Sequence, residues 1–224
     1  SRTVIENISP LAYYQYEGRS LRFIMGAFPR NYVTDTYPRL FFQDSLYYYR
    51  PNVEGLFLGF GRGERGYFNV WLDWTGRQSE EVNEAFFAGI SARYTENVFY
   101  VSHSGFMYHF ASKKDPVVEE ALHDNLLFST SIGADLSGMT FFDKLDLNAG
   151  WVSALERARA DNTGWIKLNG MLLEARAEFR WAGLFNSFYS GDGLMYFYGD
   201  HGKDLYWGDP VYRSGNYNRT DMYI

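Results

Sequence analysis

Residues 66–76 read GYFNVWLDWTG, and that pattern leaves few folds open. Phe68, Val70, Leu72 and Trp74 take every second position, with Tyr67, Asn69, Trp71, Asp73 and Thr75 between them. Successive side chains of a β-strand point to opposite faces, so one face here is apolar and the other largely polar. A soluble sandwich would turn the apolar face to its own core. A membrane barrel would turn it to lipid and keep the Asp73 face for an aqueous lumen.

The same alternation recurs along the chain. Strands are predicted at 10–17, 20–28, 54–61, 66–76, 84–94, 97–110, 126–136, 144–156, 171–181, 184–191 and the start of 218–224. Several exceed the mean strand of about 5–6 residues and reach the roughly 9–11 that cross a bilayer at a tilt. No run is apolar enough for a transmembrane helix, a test that a barrel escapes because each apolar residue has a polar neighbour. Aromatics at 20% of the 224 residues suit both strands and membrane interfaces.

The connections separate barrel from sandwich. Those near 18–19, 62–66, 95–97, 137–143 and 182–183 are short. Those at 29–53, 76–83, 111–125, 157–170 and 192–217 are nearly all longer, and the two kinds alternate. An up-and-down antiparallel barrel with tight periplasmic turns and long extracellular loops has this arrangement, whereas a Greek-key sandwich has no reason to sort its loops so. The expected fold is therefore all-β: a transmembrane antiparallel barrel of about twelve strands, roughly eleven of them visible, in one domain over 1–224. The chain opens SRTVIENISP, without Met or a signal peptide, and ends DMYI partway through a strand-like run. It is read as a mature protein incomplete at one or both ends.

The segments RFIMGAFPRNY (22–32), DPVVEEALHDN (115–125) and LYWGDPVYRSGNYNRTDMYI (205–224) resemble porin-like outer-membrane β-barrel proteins of Bacteroidota. The strand ending GAFPR (26–30) is also loosely similar to strands of the phosphate-selective porins. The first resemblance extends over most of the chain, the second over roughly 20–60, and neither carries a motif as specific as a metal-binding pattern. Ile224 departs from the usual terminal aromatic. The resemblance implies passive passage of a small solute across the bacterial outer membrane.

Several constellations bear on function. In FPRNYVTDTYPRLFFQDSLYYYRPN (28–52), Arg30, Arg39 and Arg50 sit among many rings, against Asp35 and Asp44. Folded into the barrel mouth, this loop would narrow a pore and attract anions or hydrogen-bond sugar hydroxyls; it would equally serve as an aromatic cap. DPVVEEALHDN reads as a short helix capped by Asp115, with Glu119, Glu120 and Asp124 as an acidic patch facing the arginines or lying solvated outside. The expected lumen wall comprises Asn69, Asp73, Arg93, Asp135, Asp146, Glu174, Arg176, Glu178 and Arg180, the last four alternating in sign along one face. In 197–218 aromatics mix with Asp, Arg and Gly, as a sugar-stacking surface or as a rim cover.

Catalytic signals are weak. His103 and His109 share a face but stand about 20 Å apart along one strand, too far for one metal. SHSG (102–105) lacks a nucleophile elbow, and GRGERG (61–66) lacks the Lys and helix of a phosphate loop. With no Cys there are neither disulfides nor thiolate metal sites, and a net charge of -6 argues against nucleic acid. No enzyme activity, catalytic residue, cofactor or metal is expected. The expected partners are the lipid bilayer, small polar solutes such as sugars or anions, and other outer-membrane proteins. Two alternatives to a diffusion channel stand: a plugged barrel serving a larger outer-membrane complex, and a soluble β-rich carbohydrate-binding domain.

Overall fold

The computed structural model describes residues 11–63, 65–114, 122–160 and 164–224. Among them eleven strands form one antiparallel sheet in chain order: β1 Ala12–Glu17, β2 Leu21–Pro29, β3 Asn52–Gly63, β4 Gly66–Gly76, β5 Ala85–Glu96, β6 Phe99–Phe110, β7 His123–Asp135, β8 Lys144–Ala158, β9 Ile166–Phe179, β10 Ala182–Gly191 and β11 Asn216–Tyr223. Each pairs with its neighbours in sequence, and the two edge strands β1 and β11 do not pair with each other. The curled sheet is thus a barrel wall that is not closed.

Alternation sets which side chain faces where. On β4, Phe68, Val70 and Trp74 are 44%, 37% and 46% exposed, whereas Asn69, Trp71 and Asp73 are buried. The outward face of the sheet is apolar, as a bilayer requires. Phe60, Phe68, Tyr94, Phe99, Phe179 and Trp181 cluster outward near the short turns, where aromatic rings suit the membrane–water boundary. Small residues inside make room for rings on neighbouring strands. A Cβ at Gly89 would stand 2.3 Å from the Trp71 ring, and one at Gly133 would stand 2.2 Å from Tyr100.

The long-loop half of the interior is filled. Residues 30–51 turn inward through two short helices, α1 Asn31–Thr34 and α2 Leu46–Tyr49, and bury Leu40, Phe41 and Phe42 against Trp71, Phe87 and Phe106 of the wall. Residues 192–215, which include α3 Tyr198–His201, add Leu194, Met195, Leu205, Trp207 and Tyr212 from the other side. The two loops join where Gln43 N donates to Trp207 O at 2.9 Å. Interdigitated rings of this kind pack as a protein core does, leaving no wide passage through that half.

Three expectations are corrected here. Residues 123–125 form the start of β7, not the end of a helix, because they pair in register with 108–110 and 156–158; Glu119 and Glu120 lie outside the described residues. Residues 166–170 belong to β9, not to a loop. Arg180 leaves the wall: β9 ends at Phe179, and Arg180 takes a φ of 54° in the tight β9–β10 turn, donating its backbone N–H to Asp143 at 2.5 Å.

Candidate active site

At the long-loop rim, one outward row of side chains crosses five strands. The register sets Trp74 of β4 opposite Phe86, Phe86 opposite His109, His109 opposite Asp124, and Asp124 opposite Arg157 of β8. Arg159, just past β8, completes the row. His109 Nδ1 lies 3.0 Å from Asp124 Oδ1. Arg157 donates to Asp124 Oδ2 through Nη2 at 2.5 Å, and Arg159 donates through Nε at 2.8 Å and to Oδ1 at 3.0 Å. Asp124 is buried under these partners, while Arg157 and Arg159 keep 31% and 46% of their side-chain surface exposed.

Rings frame the charges. Phe86 lies 5.1 Å from the His109 ring, Trp74 lies 5.8 Å from Phe86, and Arg157 stands over Trp165 at 4.3 Å. A charge facing lipid costs about 2–4 kcal/mol at the bilayer midplane and about 0–1 near the interfaces, so a cluster of four polar groups belongs at the headgroup boundary. One carboxylate against two guanidinium groups leaves a net positive site, suited to an anionic headgroup. In the tautomer that donates Nδ1–H to Asp124, Nε2 is the ring nitrogen left to accept a hydrogen bond. Among the described residues, no serine or threonine hydroxyl is found bonded to His109.

The row runs into a rim groove of about 660 Å³, lined by Ala12, Ala27, Glu54 and Trp74 of the outer wall and by Tyr49 and Arg50 of the loop. Arg50 donates to Thr75 O at 2.9 Å and lies 5.3 Å from the Trp207 ring. Across strands spaced about 4.8 Å apart, Trp74 and His109 are roughly 10 Å from each other.

Of the residues expected at a constriction, Arg30 and Arg39 form ion pairs with the wall. Arg30 is buried, donates to Asp73 Oδ2 at 2.6 Å and to Arg50 O at 2.5 Å, bonds Asn52 O, and stacks 5.0 Å from Trp207. Arg39 pairs with Asp44 and with Asp221 of β11 at 2.7 Å. Burial pushes the Asp35 carboxyl above its usual range. It likewise raises the Tyr37 and Tyr206 hydroxyls, which stay protonated. Tyr37 donates to Ile90 O at 2.6 Å, and Tyr206 donates to Glu156.

On the wall, Asn69 donates to Ser91 Oγ at 3.1 Å, and Asp73 also accepts from Glu54 N at 2.9 Å. Asp135 takes Lys144 at 2.5 Å, and Asp146 accepts from Tyr100 at 2.6 Å. Arg93 covers the Tyr100 ring at 3.6 Å. Arg176 pairs with Glu178 at 2.6 Å, next along the same strand face. Glu174 accepts from Asn148 at 3.2 Å. The rings of 197–218 pack inside, not as an open stacking surface.

Sequence reasoning passed over His109, Asp124, Arg157 and Arg159 as a group. Their contact depends on the register of three strands, β6 to β8, the first two of which are joined by a long loop. The one available signal was polar residues on otherwise lipid-facing positions at strand ends.

No curated relative matches the chain. A solved structure, the outer-membrane expressed OmpT of Vibrio cholerae, is similar in fold, with a TM-score of 0.50 and 13% identity over 94% of this chain and 79% of that one. The family model of lipid A 3'-O-deacylase-type proteins matches residues 2–224. The outer-membrane barrel that the resemblance in 22–32, 115–125 and 205–224 implied is common to these findings, and the protein is an outer-membrane β-barrel protein. The expectation of a chain without enzyme activity is overturned, because the matching family is one of enzymes. Over all but its first residue, the chain belongs to the lipid A 3'-O-deacylase-type family.

Proposed function

We propose that this protein hydrolyses an acyl ester of an anionic, acylated sugar lipid, reached from the outer wall of the barrel at the headgroup boundary. The observation that carries the reading is the His109–Asp124 pair, clamped by Arg157 and Arg159 on an otherwise apolar outward face. The substrate class is that of the family's description.

In this reading the headgroup lies along the outward row, with an anionic group near Arg50 in the rim groove and the ester beside His109. Asp124 holds the imidazole so that Nε2 takes a proton from water as the oxygen attacks the ester carbonyl. Arg157 and Arg159 stabilise the oxyanion of the tetrahedral intermediate. On collapse the bond between the carbonyl carbon and the sugar oxygen breaks. The imidazolium returns its proton to that oxygen, giving a fatty acid and a sugar hydroxyl. No covalent enzyme intermediate is needed, consistent with the absence of a bonded hydroxyl among the described residues.

Mass spectrometry of lipid A incubated with the protein in mixed micelles tests this. Loss of one ester-linked acyl chain is expected, with His109→Ala and Asp124→Asn each lowering the rate by about 10²–10⁴-fold, the span of general-base catalysis. Full activity in His109→Ala would move the chemistry elsewhere. Solute diffusion has less support, since aromatic packing of 30–51 and 192–215 occupies the long-loop half of the interior.

A further inference from the structure

Below the plug lies a separate chamber of about 340 Å³, on the short-turn side of the interior. Its roof is the underside of the 30–51 loop at Asp35–Arg39. Its wall carries a hydroxyl band of Ser102, Ser104, Ser129 and Ser131. Lys144 and Tyr67, at the short-turn ends of β8 and β4, line its mouth. In an outer-membrane barrel that mouth faces the periplasm.

Most charges around the chamber are matched: Lys144 with Asp135 at 2.5 Å, Arg176 with Glu178 at 2.6 Å, and Arg39 with Asp221 at 2.7 Å. Two are not. Arg93 lies over the Tyr100 ring at 3.6 Å, and among the described residues no carboxylate is found within ion-pair distance of it. Glu174 accepts from Asn148 through Oε2, while its Oε1 is buried without a hydrogen-bond partner. A buried carboxylate oxygen left unpaired is costly. A guanidinium and a carboxylate facing one small hydroxyl-lined space complement a molecule with both charges.

We propose that this chamber binds a small zwitterion from the periplasmic side, a free amino acid or dipeptide, with its carboxylate on Arg93 and its ammonium on Glu174. The serine hydroxyls satisfy the remaining polar groups, and the stacked Arg93–Tyr100 pair holds the guanidinium in place. The volume, at the low end of small-molecule sites, limits the ligand to about the size of a dipeptide.

Calorimetric titration of the intact protein in detergent micelles tests it, with dialanine, N-acetyl-dialanine and dialanine amide as probes. Saturable 1:1 binding of dialanine is expected, with each capped probe at least tenfold weaker. Arg93→Gln should weaken dialanine at least tenfold yet leave dialanine amide unchanged, and Glu174→Gln should do the mirror image with the acetylated probe. Equal affinity for capped and free probes, or no saturable heat from dialanine, would overturn the proposal. If either variant fails to fold, the three probes on the unmodified protein decide alone. The outcome is independent of any lipid hydrolysis at the rim.

Discussion

Arg30 leaves β2 pointing inward and meets Asp73, which stands 43 positions later on β4. Both side chains are 2% exposed. Removing one partner of such a pair strands the other charge, so Arg30→Met is expected to destabilise the folded barrel by about 3–5 kcal/mol. The double replacement Arg30→Met with Asp73→Leu should recover most of that loss. Urea unfolding in detergent or vesicles, followed by Trp fluorescence, measures both, and equal losses for single and double variants would mean the pair stabilises beyond its own desolvation. The sequence made Arg30, Arg39 and Arg50 conspicuous, since three arginines among so many rings require an explanation. It did not disclose their partners. Asp73 was legible as a wall residue and Asp221 was not singled out, and nothing in a period of two says which loop residue reaches either.

Among the elements, the strands were the most legible part. All eleven predicted runs correspond to observed strands, because alternation and bilayer-length runs are local properties. Depth along one strand gives a direct test. Val70 lies mid-strand on the outward face, and Trp74 lies toward the rim. Val70→Arg should cost about 2–4 kcal/mol and Trp74→Arg about 0–1, beyond the loss of the ring's own packing. Equal costs in the same unfolding assay would place the bilayer elsewhere along the barrel. What failed at this scale were the segments beside long loops. Residues 123–125 carry the helix-like spacing of the preceding acids, but partners on β6 and β8 bind their backbone groups and decide for the strand. The outward cluster was lost for the same reason: His109, Asp124 and Arg157 meet only through cross-strand register.

At the scale of the whole molecule, the expectation of an open channel meets an interior that is core-like above and polar below. Planar-bilayer recordings of the intact protein are expected to show no steady conductance. Deleting residues 36–45, which carry Leu40, Phe41 and Phe42, should open discrete channel steps if the wall survives. Steady conductance from the unaltered protein would mean that the two loops move out of the barrel in the membrane.

The plug also couples the ends of the chain in time. Arg39 bonds Asp221, 182 residues later, and Gln43 reaches the backbone of Trp207. During synthesis the first loop therefore exists long before its counterparts. Until β11 and residues 192–215 arrive, Phe87 lacks the Trp207 ring and Arg39 lacks Asp221. The interior of a nascent barrel thus stays sticky and hydrated until the β10–β11 hairpin docks, at which point wall and filling set together. Such a protein has its assembly checked from within: a chain in which β11 is undocked would present unsealed aromatic surface to periplasmic chaperones and proteases, while one in which it is docked would hide it.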